Sequence, residues 1–337
     1  MKRVGVVGAG LSGLVSATLL RRRGHRVRVF DKARGVGGRM STRRTENGSF
    51  DHGAQYFTVR DDRFARAVES WRRAGVVARW NGTIVSLEAG EIGEDKGGIA
   101  RWVGVPGMNA VCRHLAADLD VALETRVAGF VLEDGSWHLP ATGDRDLGRY
   151  DALVVSAPAP PRADLLAGVA PALARAAARA PMAPCWAVMV SFSGPLDLAF
   201  DGAFVHGSPL SWVARNSSKP AREGLEAWVL HASPEWSRDN LELGPAAVTK
   251  ILFEAFGQAV GGLAATPADR QAHRWRFALP TEPLPDPCLY DPDLRLAVCG
   301  DWCGGPRVEG AFLSGCAAAE ALLRSSAGTE DPSAPVW

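Results

Sequence analysis

The sequence predicts an α/β fold in which a parallel sheet is assembled from both ends of the chain around a β-rich insertion. Two observations carry this. A strand, a glycine turn, a helix and a second strand succeed one another within the first thirty residues, and a strand–glycine–helix passage recurs near residue 300. Between them the pattern changes to short β-rich segments broken by Gly and Pro. At 337 residues the chain suits roughly two domains, on a prior of about 150 residues each.

Composition narrows the function classes. The 38 Lys+Arg balance 37 Asp+Glu, and a net charge of +1 removes the basic excess that counterion-release binding to nucleic acid requires. Hydrophobic residues at 47% and charged residues at 22% are ordinary globular usage, so global disorder is excluded. The six cysteines (Cys112, Cys185, Cys288, Cys299, Cys303, Cys316) contain no CxxC pair. A disulfide framework and a structural zinc site are therefore not expected, and a reducing cytoplasm is. Met1-Lys2-Arg3 followed by Val4 to Leu20 has the outline of a signal peptide. Its four glycines and the closing Arg21-Arg22-Arg23 argue against export, and no other apolar run reaches membrane length, so no membrane partner is expected.

In chain order, Val4 to Val7 reads as a strand buried on both faces, Leu11 to Arg23 as a helix stopped by Gly24, and Val27 to Asp31 as a second strand. That is a βαβ unit with a right-handed crossover. Helices are expected over Asp61 to Ala74 and Pro106 to Leu119, and strands over Val121 to Leu123, Val127 to Leu132, Trp137 to Leu139 and Leu153 to Ser156. After the Pro158, Pro160, Pro161 cluster an Ala-rich helix runs from Ala163 to Arg179, then β-rich segments from Cys185 to His231. Pro245 to Val260 is helical, Gln271 to Leu279 alternates as a strand, Leu294 to Cys299 is a buried strand and Val308 to Arg324 a helix. The discontinuous domain is expected over 1–60, 105–160 and 285–325, the β-rich domain over 61–104 and 161–284, and a loose tail over 326–337.

Gly8-Ala9-Gly10-Leu11-Ser12-Gly13 matches G-x-G-x-x-G in its confirming context, after a strand and at the start of a helix. The glycines permit a tight turn, approach of a pyrophosphate and close helix–strand packing, and the helix N-terminus faces the phosphates. Asp31 ends the second strand where a carboxylate accepts hydrogen bonds from a ribose diol. It repels a 2′-phosphate, so FAD or NAD is expected here rather than NADP.

The next residues separate these two. Asp31-Lys32-Ala33-Arg34-Gly35-Val36-Gly37-Gly38-Arg39-Met40 resembles the R-x-G-G-R signature of flavin amine oxidases. Cys299-Gly300-Asp301, with Val308-Glu309-Gly310-Ala311-Phe312-Leu313, resembles the distal flavin motif of that superfamily. Asp51 to Thr58, Ser211 to Pro220 and His273 to Ala278 are similar to the bacterial renalase-like group of flavin oxidoreductases. The resemblance spans Lys2 to about Leu323. It implies a glutathione-reductase-type Rossmann FAD domain with a p-hydroxybenzoate-hydroxylase-type β-rich substrate domain. It also implies oxidation of 2- or 6-dihydro-NAD(P) by hydride transfer to flavin N5, with reoxidation by oxygen giving hydrogen peroxide.

Position by position, the resemblance places Gly8, Gly10, Leu11, Ser12 and Gly13 at the pyrophosphate, and Asp31 at the adenosine ribose with Lys32 and Arg34 nearby. It places Gly38, Arg39 and Met40 at the phosphates or ribityl chain, and Val127 near the adenine. Gln55, Tyr56 and Phe57, then Gly300, Asp301, Val308, Glu309, Gly310, Ala311 and Phe312, complete the non-covalent FAD site. Asp31 departs from the more usual Glu.

Monoamine-type oxidases place a lysine near flavin N5 and flank the substrate with two tyrosines. This chain has three tyrosines, with Tyr290 the only late one, and only Lys219 and Lys250 after residue 100. A dihydropyridine becomes aromatic as it gives up hydride, so stacking and water exclusion suffice and no residue need act as a base. No catalytic side chain is therefore assigned, and Trp212, Trp275, Phe277, His231 and Tyr56 are the expected pocket. The expected small-molecule partner is a nicotinamide nucleotide. An amine oxidase or dehydrogenase on the same fold, or a low-turnover flavin-bound binding protein, remain alternatives.

Overall fold

The computed structural model describes residues 1–143, 145–158 and 165–324. Its organising element is a six-stranded sheet in the order Leu289–Asp291, Leu296–Cys299, Ala152–Ser156, Arg3–Val7, Arg26–Phe30, Asp120–Ala122. Five strands are parallel and only Leu289–Asp291 runs antiparallel. Val4, Val6, Val154 and Ala297 face one core, while Val7, Leu153, Val155, Leu296 and Val298 face another. Such burial on both faces is why these strands read as continuous apolar runs.

Helix Leu11–Arg22 and the last helix, Arg307–Arg324, lie together on one face of this sheet. A Cβ on Gly315 would overlap the Ser12 carbonyl, so the helices approach as closely as they do because residue 315 has no side chain. Helix Asp62–Arg73 is capped by Asp61, whose carboxylate accepts the amides of Arg63 and Phe64. It packs Phe64 and Trp71 against Phe312 at ring separations of 5.1 and 5.9 Å. Each such buried ring contributes roughly 1.5–3 kcal/mol.

The second large element is a seven-stranded sheet in the order Asp269–Pro280, Met182–Phe192, Glu226–Ala232, Leu210–Arg215, Gly202–His206, Ile84–Glu88, Glu91–Asp95. Only Gly202–His206 and Ile84–Glu88 pair parallel. One face packs on helix Pro245–Ala259 through Val190, Trp228, Leu252 and Phe256. The other face turns toward the six-stranded sheet and carries the side chains described below.

Several expectations need correcting. The helix expected over Pro106 to Leu119 is only Ala110–Ala116, because the preceding residues serve as a loop whose Met108 amide binds Asp51. The strand expected from Val127 is confined to Val131–Glu133, and Val127 itself makes a single bridge to Ala141. Asp146–Tyr150 completes an unforeseen three-stranded meander with Ser136–Pro140. The hairpin Thr42–Thr45/Gly48–Asp51 and the pair Val77–Arg79/Trp102–Gly104 were also not legible, being polar or short. Residues 61–104 are split: helix Asp62–Arg73 joins the first core, whereas Ile84–Glu88 and Glu91–Asp95 enter the seven-stranded sheet. The start of the Ala-rich helix, Pro160, Pro161 and the tail lie outside the described residues; within them, Pro171–Ala178 is helical.

Candidate functional site

The glycine turn divides its labour. A Cβ on Gly8 would overlap the Ser156 carbonyl, and one on Gly13 would overlap the Gly8 carbonyl, so both are demanded by backbone packing. A Cβ on Gly10 would meet nothing within 4 Å. Gly10 is also the N-cap of helix Leu11–Arg22 and offers no side-chain cap, which leaves the first-turn amides and the positive dipole end available to an anion. Gly10 pairs with Gly37, bringing the two glycine segments side by side, and Gly37 adopts φ +123°, a conformation side chains rarely tolerate. Asp31 accepts from the Ala9 amide at 2.7 Å and the Ala33 amide at 2.8 Å, so the turn itself orients the carboxylate. The cradle fits a dinucleotide: open space at Gly10, uncapped amides and a fixed acid at the strand end.

Arg39 and Asp301, from opposite ends of the chain, form a two-point ion pair at 2.7 and 2.6 Å. Arg39 also donates to the Ala278 carbonyl at 3.0 Å, tying the cradle to the edge of the seven-stranded sheet. Gly53 lies against the Arg39 carbonyl and within 3.4 Å of Trp275, measured from where its Cβ would be, so the Asp51–Phe57 loop threads between the two sheets.

Beneath that loop is a buried ionic knot. Asp51 accepts from Arg222 at 2.6 Å and from Lys219 at 3.5 Å. Thr42 Oγ1 and the Met108 amide donate to its other oxygen. Lys219 also donates to Gln55 at 3.0 Å and Asn216 at 3.2 Å, while Gln55 Nε2 donates to the Asp51 carbonyl. Burial favours a neutral Asp51, but Lys219 and Arg222 outweigh it and hold the carboxyl below its ordinary value. Burial, with Arg222 adding to it and Asp51 opposing, lowers Lys219 to about 8.

Above the loop, strand register sets one row of side chains. Ala187 pairs with both His231 and His273, Cys185 with Trp275, and His231 with Trp212. His52 stacks on Trp275 at 5.1 Å and meets His273 edge-on at 4.8 Å. Its carbonyl accepts the Trp275 indole N–H at 2.8 Å, and His231 Nε2 lies 3.3 Å from it. Burial lowers His52 to about 3, with His273 and Arg43 adding to it, and lowers His231 and His273 to about 4. All three imidazoles are therefore neutral at pH 7. Arg43 donates to Gln271 at 3.0 Å and lies 3.3 Å from His273 Nδ1. Beside this row, Tyr56 contacts Trp212 at 5.6 Å and Trp80 at 6.2 Å.

The structure thus brings Tyr56, Trp212, His231 and Trp275 to one face. Phe277 lies two residues beyond Trp275, where the strand pairing is bulged, and is half-buried. Other expected residues are packed away. Phe312 and Phe57 are core rings against Phe64, Met40, Val308 and Val127 are buried, and Ser12 is occupied by Ser156 at 2.8 Å. Glu309 is spent on the amides of Arg60 and Asp61, where it fixes the start of the next helix. Gly310 is required because its Cβ would overlap the Gly305 carbonyl, and Gly300 donates its amide to Ser314. Lys32 and Arg34 lie on the exposed side of the Asp31 turn, and Ala311 is half-buried in the last helix. Sequence reading missed Trp80 and Arg101, which lie in no motif, and had Lys219 within the Ser211 to Pro220 passage and as one of two late lysines, without a role.

Residues 6–71 match a model described as an NAD(P)-binding Rossmann-like domain, and residues 89–323, more than half the chain, match flavin containing amine oxidoreductase. Among curated proteins, the chain is 41% identical over 70 residues to a 4,4'-diapophytoene desaturase (4,4'-diaponeurosporene-forming) of Staphylococcus haemolyticus (strain JCSC1435). That match covers 21% of this chain and only 14% of the desaturase. Among solved structures, "Putative protoporphyrinogen oxidase" from Exiguobacterium sp. 255-15 superposes with a TM-score of 0.76 at 12% identity, covering 96% of this chain and 98% of that one. A putrescine oxidase variant superposes with a TM-score of 0.68 at 14% identity, covering 96% and 98%. These two likenesses show a shared fold. With the family match spanning residues 89–323 and a cradle that accepts a dinucleotide, the chain belongs to the flavin-containing amine oxidoreductases, with FAD as its cofactor.

Proposed function

We propose that the chain is an FAD oxidase of dihydronicotinamide isomers, the 2- and 6-dihydro forms of NAD(P), with oxygen as acceptor and hydrogen peroxide as product. In this reading the parallel-sheet domain holds FAD and the seven-stranded sheet covers its ring. The residues expected at the cofactor act through Gly10, the first-turn amides, Asp31 and the Arg39–Asp301 pair. Bound FAD supplies the hydride acceptor. The protein supplies a flat aromatic face (Tyr56, Trp212, Trp275) and neutral polar edges (His231, His273).

The observation that carries the reading is the charge state of that face. Its imidazoles sit near 3 to 4, too weakly basic to take a proton from an alkylammonium at pH 7. The carboxylates bordering it, Asp51 and Asp301, are already paired with arginine. An amine arrives as a cation and must lose a proton before it can give up hydride. A dihydropyridine needs neither a carboxylate nor a base, only orientation and exclusion of water. A reducing cytoplasm belongs to the same reading and rests on six free thiols.

The family match favours a second reading, oxidation of an amine. Anaerobic mixing separates them. Rapid flavin bleaching by 6-dihydro-NAD and none by simple amines is the expected result. Bleaching by amines alone would overturn the proposal, and bleaching by neither would point to a binding role.

A further inference from the structure

The aromatic pair at the edge of the site has a cation over each ring, and the carboxylates nearby do not balance the charge. Arg101 is only 7% exposed, and its guanidinium lies 5.3 Å from the centre of the Tyr56 ring. Its hydrogen bonds go to two carbonyls, Lys96 at 2.8 Å and Ile99 at 3.5 Å, and its Nε is buried without a partner. Among the described residues no carboxylate pairs with it. Lys219 Nζ lies 5.5 Å from the centre of the Trp80 ring and donates to Asp51, Gln55 and Asn216, in a knot where two cations share the single carboxylate of Asp51. Tyr56 and Trp80 touch, so Arg101, which has no carboxylate, and a knot with one positive charge in excess both lie against one aromatic pair.

A buried guanidinium without a counter-ion is costly, and so is an ionic knot with one charge too many. Ring faces offset part of this, about 0.5–2 kcal/mol per contact, but they do not replace an anion. The Nε orphan is the more telling detail. Buried donors in folded proteins are nearly always satisfied, and one left open beside a half-exposed tyrosine marks a place where a ligand atom is expected.

We infer that Arg101 is the donor of an anion-binding subsite against Tyr56, with the excess positive charge of the Lys219 knot behind Trp80 adding to its field, and that the subsite takes an anionic oxygen group, phosphate or carboxylate, carried by the substrate. The inference rests on the reading of this face as the substrate site and adds a requirement to it: the substrate bears a negative charge away from the atom that gives up hydride. A dinucleotide meets this through its phosphates and an aromatic acid through its carboxylate. A bare alkylamine meets it not at all.

The test uses the FAD-loaded enzyme without turnover, titrated with inorganic phosphate and with benzoate. Binding is read from the flavin absorbance and from the melting temperature. Saturable binding of at least one anion, weakened tenfold or more in Arg101→Met and in Lys219→Met and partly restored in Arg101→Lys, is the expected result. Preference for phosphate identifies a nucleotide-type substrate, and preference for benzoate a carboxylate one. FAD content and melting temperature of each variant report whether it folds, and Arg101→Lys keeps the test open if Arg101→Met does not. No saturable binding of either anion, or equal binding in the Met variants, overturns the subsite.

A second measurement separates this inference from the functional proposal. The rate of flavin reduction by 6-dihydro-NAD is compared with that by neutral N-methyl-1,6-dihydronicotinamide. The preference for the charged substrate should fall about tenfold in Arg101→Met. If 6-dihydro-NAD reduces both proteins at the same half-saturating concentration, the subsite falls while the activity stands. If it reduces neither while benzoate binding still depends on Arg101, the activity falls and the subsite stands.

Discussion

The cradle and the face above it are built on opposite principles. The cradle is main chain: three glycines within six residues, helix amides and one acid whose position is set by two amides. The face is side chain, with Tyr56, Trp80, Arg101, Trp212, Lys219 and Trp275 drawn from five separate stretches and aligned by strand register and a buried knot. A main-chain site tolerates no added atom, whereas a side-chain site tolerates exchange as long as its supports remain. The expected effects follow that difference.

The largest belongs to the cradle. Gly13→Val should yield no folded FAD-loaded protein, because the new side chain meets the Gly8 carbonyl. Gly10→Val should fold, because its side chain meets no protein atom nearby, and stay colourless if that open space is the diphosphate's. Circular dichroism and released FAD distinguish the two, and a yellow Gly10→Val protein would sink this placement of the cofactor.

Next comes the knot that supports the face. Asp51→Ala strands Lys219 and Arg222 in the interior, at a cost of about 3–5 kcal/mol in denaturant unfolding. A loss below about 1 kcal/mol would mean that water already reaches the knot.

Smaller again is Trp275→Ala, which removes one wall of the face and the indole bond to His52. Flavin reduction should slow about tenfold, the equivalent of roughly 1.4 kcal/mol of stacking, with FAD content unchanged. Loss of FAD along with the rate would make Trp275 a support of the cradle rather than a wall of the pocket.

The smallest effect is a pH dependence. Lys219 sits near 8 when folded against about 10.5 in an unfolded chain, so between those values the unfolded state holds more protons. Wild type should therefore gain stability over Lys219→Met as pH rises from 8 toward 10.5. Asp51 acts with the same sign in an acidic window. Its depressed value contributes stability above about 3.8 that is lost as pH falls through the folded value. A flat difference curve between pH 8 and 10.5 would show that Lys219 keeps its ordinary value.

What could be read from the sequence follows this contrast. The βαβ start, the Gly8–Gly13 turn, Asp31 and the strand–helix finish were legible because each lies within a few residues of its partners, and because parallel strands buried on both faces are written as apolar runs. The polar hairpin Thr42–Asp51 was not, since its alternation is hidden by residues that face the knot. Glu309 was expected at the cofactor by motif, and nothing in the sequence announced that its carboxylate accepts the amides of Arg60 and Asp61, nearly 250 positions away in the chain.

The sequence by itself determined that this chain binds a dinucleotide at its start and closes the same sheet near its end, because backbone geometry is set locally by glycine and by strand and helix periodicity. Only the tertiary structure decided which side chains share one face. Ala187 pairs with His231 on one side and His273 on the other, and no spacing in the chain announces that they share a row. Lys219 and Asp51 lie 168 positions apart, and Arg101 acquires meaning only over the ring of Tyr56. The charge of a site is a sum over neighbours in space, and that sum exists only once the chain has folded.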